Sequence, residues 1–264
     1  MADPGAAVLV VAAAGTYAVG WRRPPVDPDG TGRRWWQPWL FGAGLATVAV
    51  ALVSPLDGRA HTRLAAHMVQ HVLLLAVAPP LLVAASPVPT LLAGLPAAVG
   101  AVVRHGLTIV RDELRSPRWP AWTAAAVVAQ TAVMWAWHAP GLYEAALRRP
   151  ELHALEHLSF LGVGLLFWAT MAAAVGTRRG AGVMALFVAA LPGSALGAAL
   201  TLADHPWYAS YPALDDQQLA GVVMWAFAGT VYVVAAGVVF GLWLAAEQSY
   251  ADAPPAPAPL GAAS

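Results

Sequence analysis

The stretch 91–110, LLAGLPAAVGAVVRHGLTIV, decides the fold. By length and apolarity it passes for a membrane span, yet it holds Pro96, Arg104 and His105. Arg104, Thr108, Arg111 and Arg115 recur at helical spacing along one stripe, and Val103, Leu107, Val110 and Leu114 along another. That pattern predicts an amphipathic helix near 97–115 lying in the membrane interface rather than crossing the bilayer. Counted as a span, the stretch would leave Arg104 inside the bilayer at a cost of roughly 2.5 kcal/mol or more.

The rest of the chain reads as a membrane protein. It is 59% hydrophobic and 11% charged, against roughly 25% charged residues in soluble domains. A span needs about 20 mostly apolar residues, and segments 4–20, 38–54, 64–85, 119–137, 152–175, 181–203 and 218–246 qualify. The fold class is therefore all-α: a polytopic bundle of seven transmembrane helices forming one domain over 1–250. A Pro/Ala-rich tail at 251–264 is too poor in core-forming residues to fold and is expected to be disordered. Orientation follows from arginine, because cytoplasmic loops carry the excess of basic residues. With seven spans, Arg22, Arg23, Arg33, Arg34, Arg104, Arg111, Arg115, Arg118, Arg178 and Arg179 share one side, and only Arg59, Arg63, Arg148 and Arg149 the other. Eight spans would leave an almost even split. The N-terminus is thus expected outside and the C-terminus inside, with the first span an uncleaved anchor that lacks a basic leader.

Composition also removes functions. Basic and acidic residues balance at 14 each, so nothing suggests nucleic acid as a partner, and the lipid bilayer is the expected surroundings. Every basic residue is arginine, so a retinal Schiff base has no lysine to form on. With no cysteine, disulfides, thiolate metal sites and thiol catalysis are excluded. Histidine, methionine, carboxylate and backbone remain as ligands.

Seven of the eight histidines fall at the outer ends of predicted spans: His61, His67, His71, His138, His153, His157 and His205. Two H-x-x-x-H pairs, His67/His71 and His153/His157, each precede a long apolar run. Residues four apart on a helix share one face about 5–6 Å apart, near enough for two imidazoles to hold one ion, so two such helices would supply four nitrogens. Gln70 and Glu156 occupy the same place in the two motifs and are expected to orient a ring or add a ligand. Met68 and Met134 are soft donors that tilt a histidine site toward copper(I). Asp215 and Asp216 read first as N-caps, Trp35, Trp36, Trp39, Trp119, Trp122, Trp135, Trp137, Trp207, Trp225 and Trp243 as belt and packing residues, Pro79-Pro80 as a kink, and Gly193-x-x-x-Gly197 and Gly237-x-x-x-Gly241 as close helix contacts.

SPLD (54–57), HMVQHVLL (67–74) with APPLL (78–82), WHAPGLY (137–143), HALEHLSFL (153–161) with LLFW (165–168), and DQQLAGVVMW (216–225) together resemble the CtaG family, multi-span assembly factors of caa-type cytochrome c oxidase. The resemblance implies a factor, not an enzyme, that matures the oxidase by delivering copper to its catalytic subunit at the outer face of the cell membrane. It carries the family's motif histidines to His67, His71, His138, His153 and His157, and its acidic positions to Asp57 and Asp216; His205 lies where less agreement is expected. On the residues alone two alternatives stay open. One is a bis-histidine haem protein. The other is a zinc-dependent intramembrane peptidase, since H-x-x-E-H gives Glu156 the place of a general base.

Overall fold

A computed structural model describes residues 4–23 and 32–251. The tail expected at 251–264 lies, from residue 252 on, outside them. In chain order the helices are α1 (Pro4–Trp21), α2 (Gln37–Leu52), α3 (Pro55–Ala60), α4 (Leu64–Val72), α5 (Ala78–Ala84), α6 (Val88–Gly94), α7 (Ala97–Arg115), α8 (Trp119–His138), α9 (Pro140–Arg148), α10 (Pro150–Thr177), α11 (Arg179–Leu202), α12 (Leu214–Val222) and α13 (Ala228–Ala251). No strand occurs among the described residues. Several helices open on proline in the first turn, where the missing N–H is one the helix cannot use anyway.

The expected kink at Pro79-Pro80 takes a particular form. Neither ring can donate to the carbonyl four residues back, and the helix answers with one π turn, Leu73–Val77, that joins α4 to α5. Across from it α10 presents Gly164, where a Cβ would stand 2.7 Å from the Leu75 carbonyl oxygen and 2.8 Å from Pro79 Cγ. A second π turn, Val223–Phe227, joins α12 to α13. Both turns sit just beyond residues that build the site described below.

Six helical stretches are long and apolar enough to cross a membrane: Pro4–Trp21, Gln37–Ala60, Leu64–Ala84, Pro150–Val175, Arg179–Leu202 and Leu214–Ser249. This is a multi-pass membrane protein. The stretch Leu64–Ala84 is central, with 61% of its apolar window buried against 39% or less in the others. The seventh segment expected, 119–137, is present as α8 but is diluted by Gln130, two threonines and four tryptophans, and does not reach the same apolarity. It nonetheless runs from one end of the bundle to the other: Trp119 Nε1 donates to the Thr170 carbonyl near the end of α10 (2.8 Å), and His138, at the other end, gives its carbonyl to the Tyr208 hydroxyl (2.9 Å). The helix expected near 97–115 is α7, which buries only Gly100 and Leu114.

Of the glycine pairs, Gly197 is a close contact. A Cβ there would meet the Gly221 carbonyl at 2.8 Å, and one on Gly221 would meet the Gly197 carbonyl at 2.4 Å. Gly193 is in ordinary contact with Met134, whereas Gly237 and Gly241 face open space. That part of the expectation fails because small residues on a lipid-facing stripe look, in sequence, the same as small residues at a crossing.

Candidate metal centre

The end of the bundle where α4 and α10 begin is held by a lattice of polar side chains. The Leu64 N–H, the first of α4, donates to Asp216 Oδ2 (2.6 Å) from the first turn of α12. Asp216 is thus a cap, as read, but for a different helix from the one it begins. Its carboxylate also lies at the positive end of its own helix. Asp57, in the first turn of α3, accepts from Gln70 Nε2 (3.2 Å), which also donates to the Ala51 carbonyl (2.7 Å). Gln70 therefore braces α4 against α2 and α3. Glu156 points among the histidines, so the two residues that match in sequence do not match in place.

His67 and His71 project from successive turns of α4 with ring centroids 4.5 Å apart, and His153 and His157 from α10 at 4.3 Å. The pairs face each other. His153 Nε2 stands 3.4 Å from His67 Nε2, and the His71 and His157 rings are 5.9 Å apart. Two nitrogens sharing a tetrahedral ion at about 2.0–2.1 Å each lie about 3.4 Å apart, so the His67–His153 spacing is already that of a shared ion. Two sets of three donors, His67/His71/His157 and His67/His153/Glu156, have their ligating atoms within 4.8 Å of one another. Exposure grades inward: His61, exposed, has its ring 5.7 Å from that of half-buried His153, while His67, His71, His138 and His157 are buried.

The buried donors have few other partners. Both nitrogens of His71, His157 Nε2 and both oxygens of Glu156 are out of solvent and make no hydrogen bond. His71 Nε2 is 3.3 Å from Glu156 Oε1, close enough to attract but too oblique to donate. Leaving one such atom unsatisfied costs about 1–3 kcal/mol, and five of them converge here. A bound cation would satisfy most of them at once, so the donor set fits a metal ion.

Three tyrosines complete the site, and the sequence reading gave none of them a role. The Tyr211 hydroxyl donates to the Ala60 carbonyl (2.5 Å), so toward His67 Nδ1 (3.3 Å) its oxygen can only accept. The Tyr143 hydroxyl lies 2.7 Å from the same nitrogen and its ring stacks on Tyr208 at 4.1 Å. A proton held on Nδ1 by these oxygens leaves the His67 Nε2 lone pair facing His153. Burial raises the pKa of all three phenols, so they remain neutral hydroxyls, and the oxygens of Tyr143 and Tyr211 accept the Nδ1 proton in this arrangement. Tyr208 and Tyr211 ride on the loop 203–213, which α12 holds through Gln217: its Oε1 accepts from the Trp207 N–H (2.6 Å) and its Nε2 donates to the His205 carbonyl (3.2 Å). A signal for them was present in WHAPGLY and DQQL, the two motifs that bring these pieces together.

Two other expected residues fall elsewhere. His205 is exposed beside Asp204 (2.5 Å) and takes no part in the cluster. Its distance follows from the loop, which turns its tyrosines inward and its histidine out. His138 sits one step deeper: its Nδ1 lies 2.7 Å from the Met134 carbonyl and its Nε2 3.2 Å from Met68 Sδ. It is the backbone of Met134, not its sulfur, that meets His138.

The described residues thus make a multi-span helical protein with a dry histidine–carboxylate cluster at one end, a donor set of the kind that can hold a metal ion. Residues 15–246 match the family described as cytochrome c oxidase caa3 assembly factor, Caa3_CtaG. The chain belongs to that family. Neither a curated protein nor a solved structure matches it.

Proposed function

We propose that this oxidase assembly factor binds copper as cargo between α4 and α10, through His67, His71, His153 and His157 with Glu156, and presents it from the outer face of the cell membrane to the oxidase catalytic subunit. The observation that carries the reading is the pair of facing nitrogens, His67 Nε2 and His153 Nε2, 3.4 Å apart above buried donors that have no other partner. Histidine without thiol suits an ion that must be held and then released. The graded exposure from His61 inward gives a route of entry.

The topology that goes with it has seven crossings, N-terminus outside, with α7 lying in the interface. The starts of Leu64–Ala84 and Pro150–Val175 are side by side at the histidines, and after α5 the chain is at the far end. It must come back before α10 begins, and α8 is the helix that makes the passage. The exposed apolar residues of α7, among them Val102, Ile109 and Val110, suit a helix resting on lipid.

Neither alternative has equal support. A bis-histidine haem needs a macrocycle-wide slot, whereas these rings lie edge to face on one another and tilted against Phe160 and Tyr143. A peptidase needs its carboxylate open to a peptide and water, and Glu156 is fully buried. The test is oxidase activity and copper content in membranes from cells carrying His67→Ala or His157→Ala. Loss of both under limiting copper is expected, and full activity with normal copper in both variants would refute the reading.

A further inference from the structure

We infer that a second, softer metal seat, built for a monovalent ion, lies below the histidine cluster between His138 Nε2 and Met68 Sδ. The inference deepens the reading above and rests on it for the source of the ion, though not for the seat itself. The Met134 carbonyl can only accept a hydrogen bond, so His138 Nδ1, 2.7 Å away, carries the ring proton. Its Nε2 is then a bare lone pair, and it faces the sulfur of Met68 at 3.2 Å. Thioether sulfur has no hydrogen to offer. Two electron-pair donors thus point at one another in a dry place, His138 being 2% exposed and Met68 0%. Nitrogen and sulfur ligands of one ion lie about 3.5 Å apart at a tetrahedral angle and about 4.3 Å apart on a two-coordinate, near-linear ion, so the pair becomes a coordination pair by parting between a few tenths of an ångström and about 1 Å.

The donors select the charge and softness of the ion. Both are neutral, whereas the cluster above has the Glu156 carboxylate. The cost of burying an ion grows with the square of its charge, so a divalent ion with only neutral donors costs about four times what a monovalent one does. Thioether with imidazole prefers soft copper(I) among biological metals. His71 links the two places, its ring 5.9 Å from that of His157 and 5.3 Å from that of His138. A pocket lined by His71, Met134, His138, Phe160 and Met224 continues from the seat away from the histidine mouth. The geometry therefore orders two sites in depth: a harder nitrogen–carboxylate cluster at the mouth and a sulfur-containing seat beneath it.

The experiment uses the full chain, purified in detergent, with zinc(II) as the divalent probe and silver(I) as a monovalent, redox-inert one. Silver binding to the zinc-loaded protein is expected, with a sulfur neighbour in its X-ray absorption spectrum. Met68→Leu, a volume-conserving change, should weaken silver by more than about tenfold and leave zinc within about twofold, and His157→Ala should do the reverse. Silver bound to the wild type through nitrogen alone, silver unaffected by Met68→Leu, or both ions lost together in each variant would overturn the seat. If the wild type binds no zinc but takes silver in a Met68-dependent way, the cluster reading fails and the seat stands.

Discussion

Each histidine here is defined by what its other nitrogen does. His67 has its Nδ1 against two tyrosine hydroxyls and His138 against a carbonyl, which turns Nε2 toward the ion's place in both. Because His71 and His157 would close on the same ion, His71→Ala and His157→Ala should each lower the affinity of the cluster for zinc(II), its divalent probe, by more than about tenfold, and the double variant should lose little more. Competition titration with a chromogenic chelator measures this, and losses that multiply would mean two independent sites in the cluster. Glu156→Gln separates ligation from catalysis. An amide keeps the shape and one acceptor oxygen, so a loss of at most roughly 10–100-fold in metal affinity is expected, with oxidase activity restored when cells are given ample copper. Absence of activity at every copper level in a folded, metal-loaded Glu156→Gln protein would require a catalytic carboxylate. The histidines were legible because i, i+4 spacing guarantees a shared face. Tyr143, Tyr208 and Tyr211 were not, since they come from a short helix and a loop and no periodicity links them to α4. Gln70 misled for a related reason: equal spacing in two motifs fixes the angle around each helix, not what stands opposite.

Helix packing sets how far apart the two histidine pairs stand. The contact that matters most is α10 on the π turn before α5, where Gly164 touches the Leu75 carbonyl and Pro79. Both neighbours are backbone or ring and cannot rotate away. Gly164→Ala should therefore cost about 1–3 kcal/mol as an overpacked crossing, lower the melting temperature in detergent and weaken metal binding by spreading His71 from His157. Gly237→Ala, with nothing within reach of its Cβ, is the control and should be neutral or slightly stabilising. A melting temperature equal to wild type for Gly164→Ala would remove the π turn from the account of the site. The loop over the mouth depends on α9 through Glu144, whose oxygens accept from the Ser210 N–H (2.9 Å) and hydroxyl (2.7 Å), with Arg148 at 3.4 Å. Burial works to raise the Glu144 pKa, but these partners favour the carboxylate and the net value is lowered. A lowered carboxylate contributes stability that is full above the ordinary glutamate range and is lost as pH falls through the folded value. Hydrogen exchange of the loop 203–213 should accordingly rise in acid, whereas Glu144→Gln should show raised exchange already at neutral pH and little further change. The proline starts and the length of most helices were legible in the sequence. The π turns were not, because sequence marks where a helix loses hydrogen bonds but not how it recovers them.

Across the whole molecule the deciding matter is the path between the two histidine helices. The span Leu64–Ala84 and the helix α10 run parallel, since both begin at the cluster, and parallel neighbours need a connection that returns across the bundle. Composition ranks α8 below the six most apolar helices, yet its tryptophans and Gln130 have partners: Trp119 bonds the Thr170 carbonyl, Trp137 Nε1 the Ser159 hydroxyl (2.9 Å) and Gln130 Nε2 the Tyr232 hydroxyl (2.8 Å). Polar groups satisfied by neighbouring helices add little cost within a bilayer, so although Gln130 Oε1 and Thr123 Oγ1 are buried without a hydrogen bond, hydropathy understates how well this helix can cross. The arginines agree with the path. Arg33 donates to the Gly20 and Trp21 carbonyls (2.7 Å each), Arg23 to that of Ala93 (2.8 Å) and Arg178 to that of Ser116 (3.1 Å), so the three basic loops touch one another at the end away from the histidines. Since the chain has no cysteine, single cysteines placed at exposed Gly58, Gly106, Leu142 and Ala209 give clean reporters for a membrane-impermeant maleimide. In intact cells Gly58→Cys, Leu142→Cys and Ala209→Cys should react, and Gly106→Cys only after permeabilisation. Leu142 and Gly106 lie on the two sides of α8, so labelling of both, or of neither, in intact cells would mean that α8 does not cross. The two histidine pairs would then stand on opposite faces of the membrane, and the shared copper site would fall with the topology.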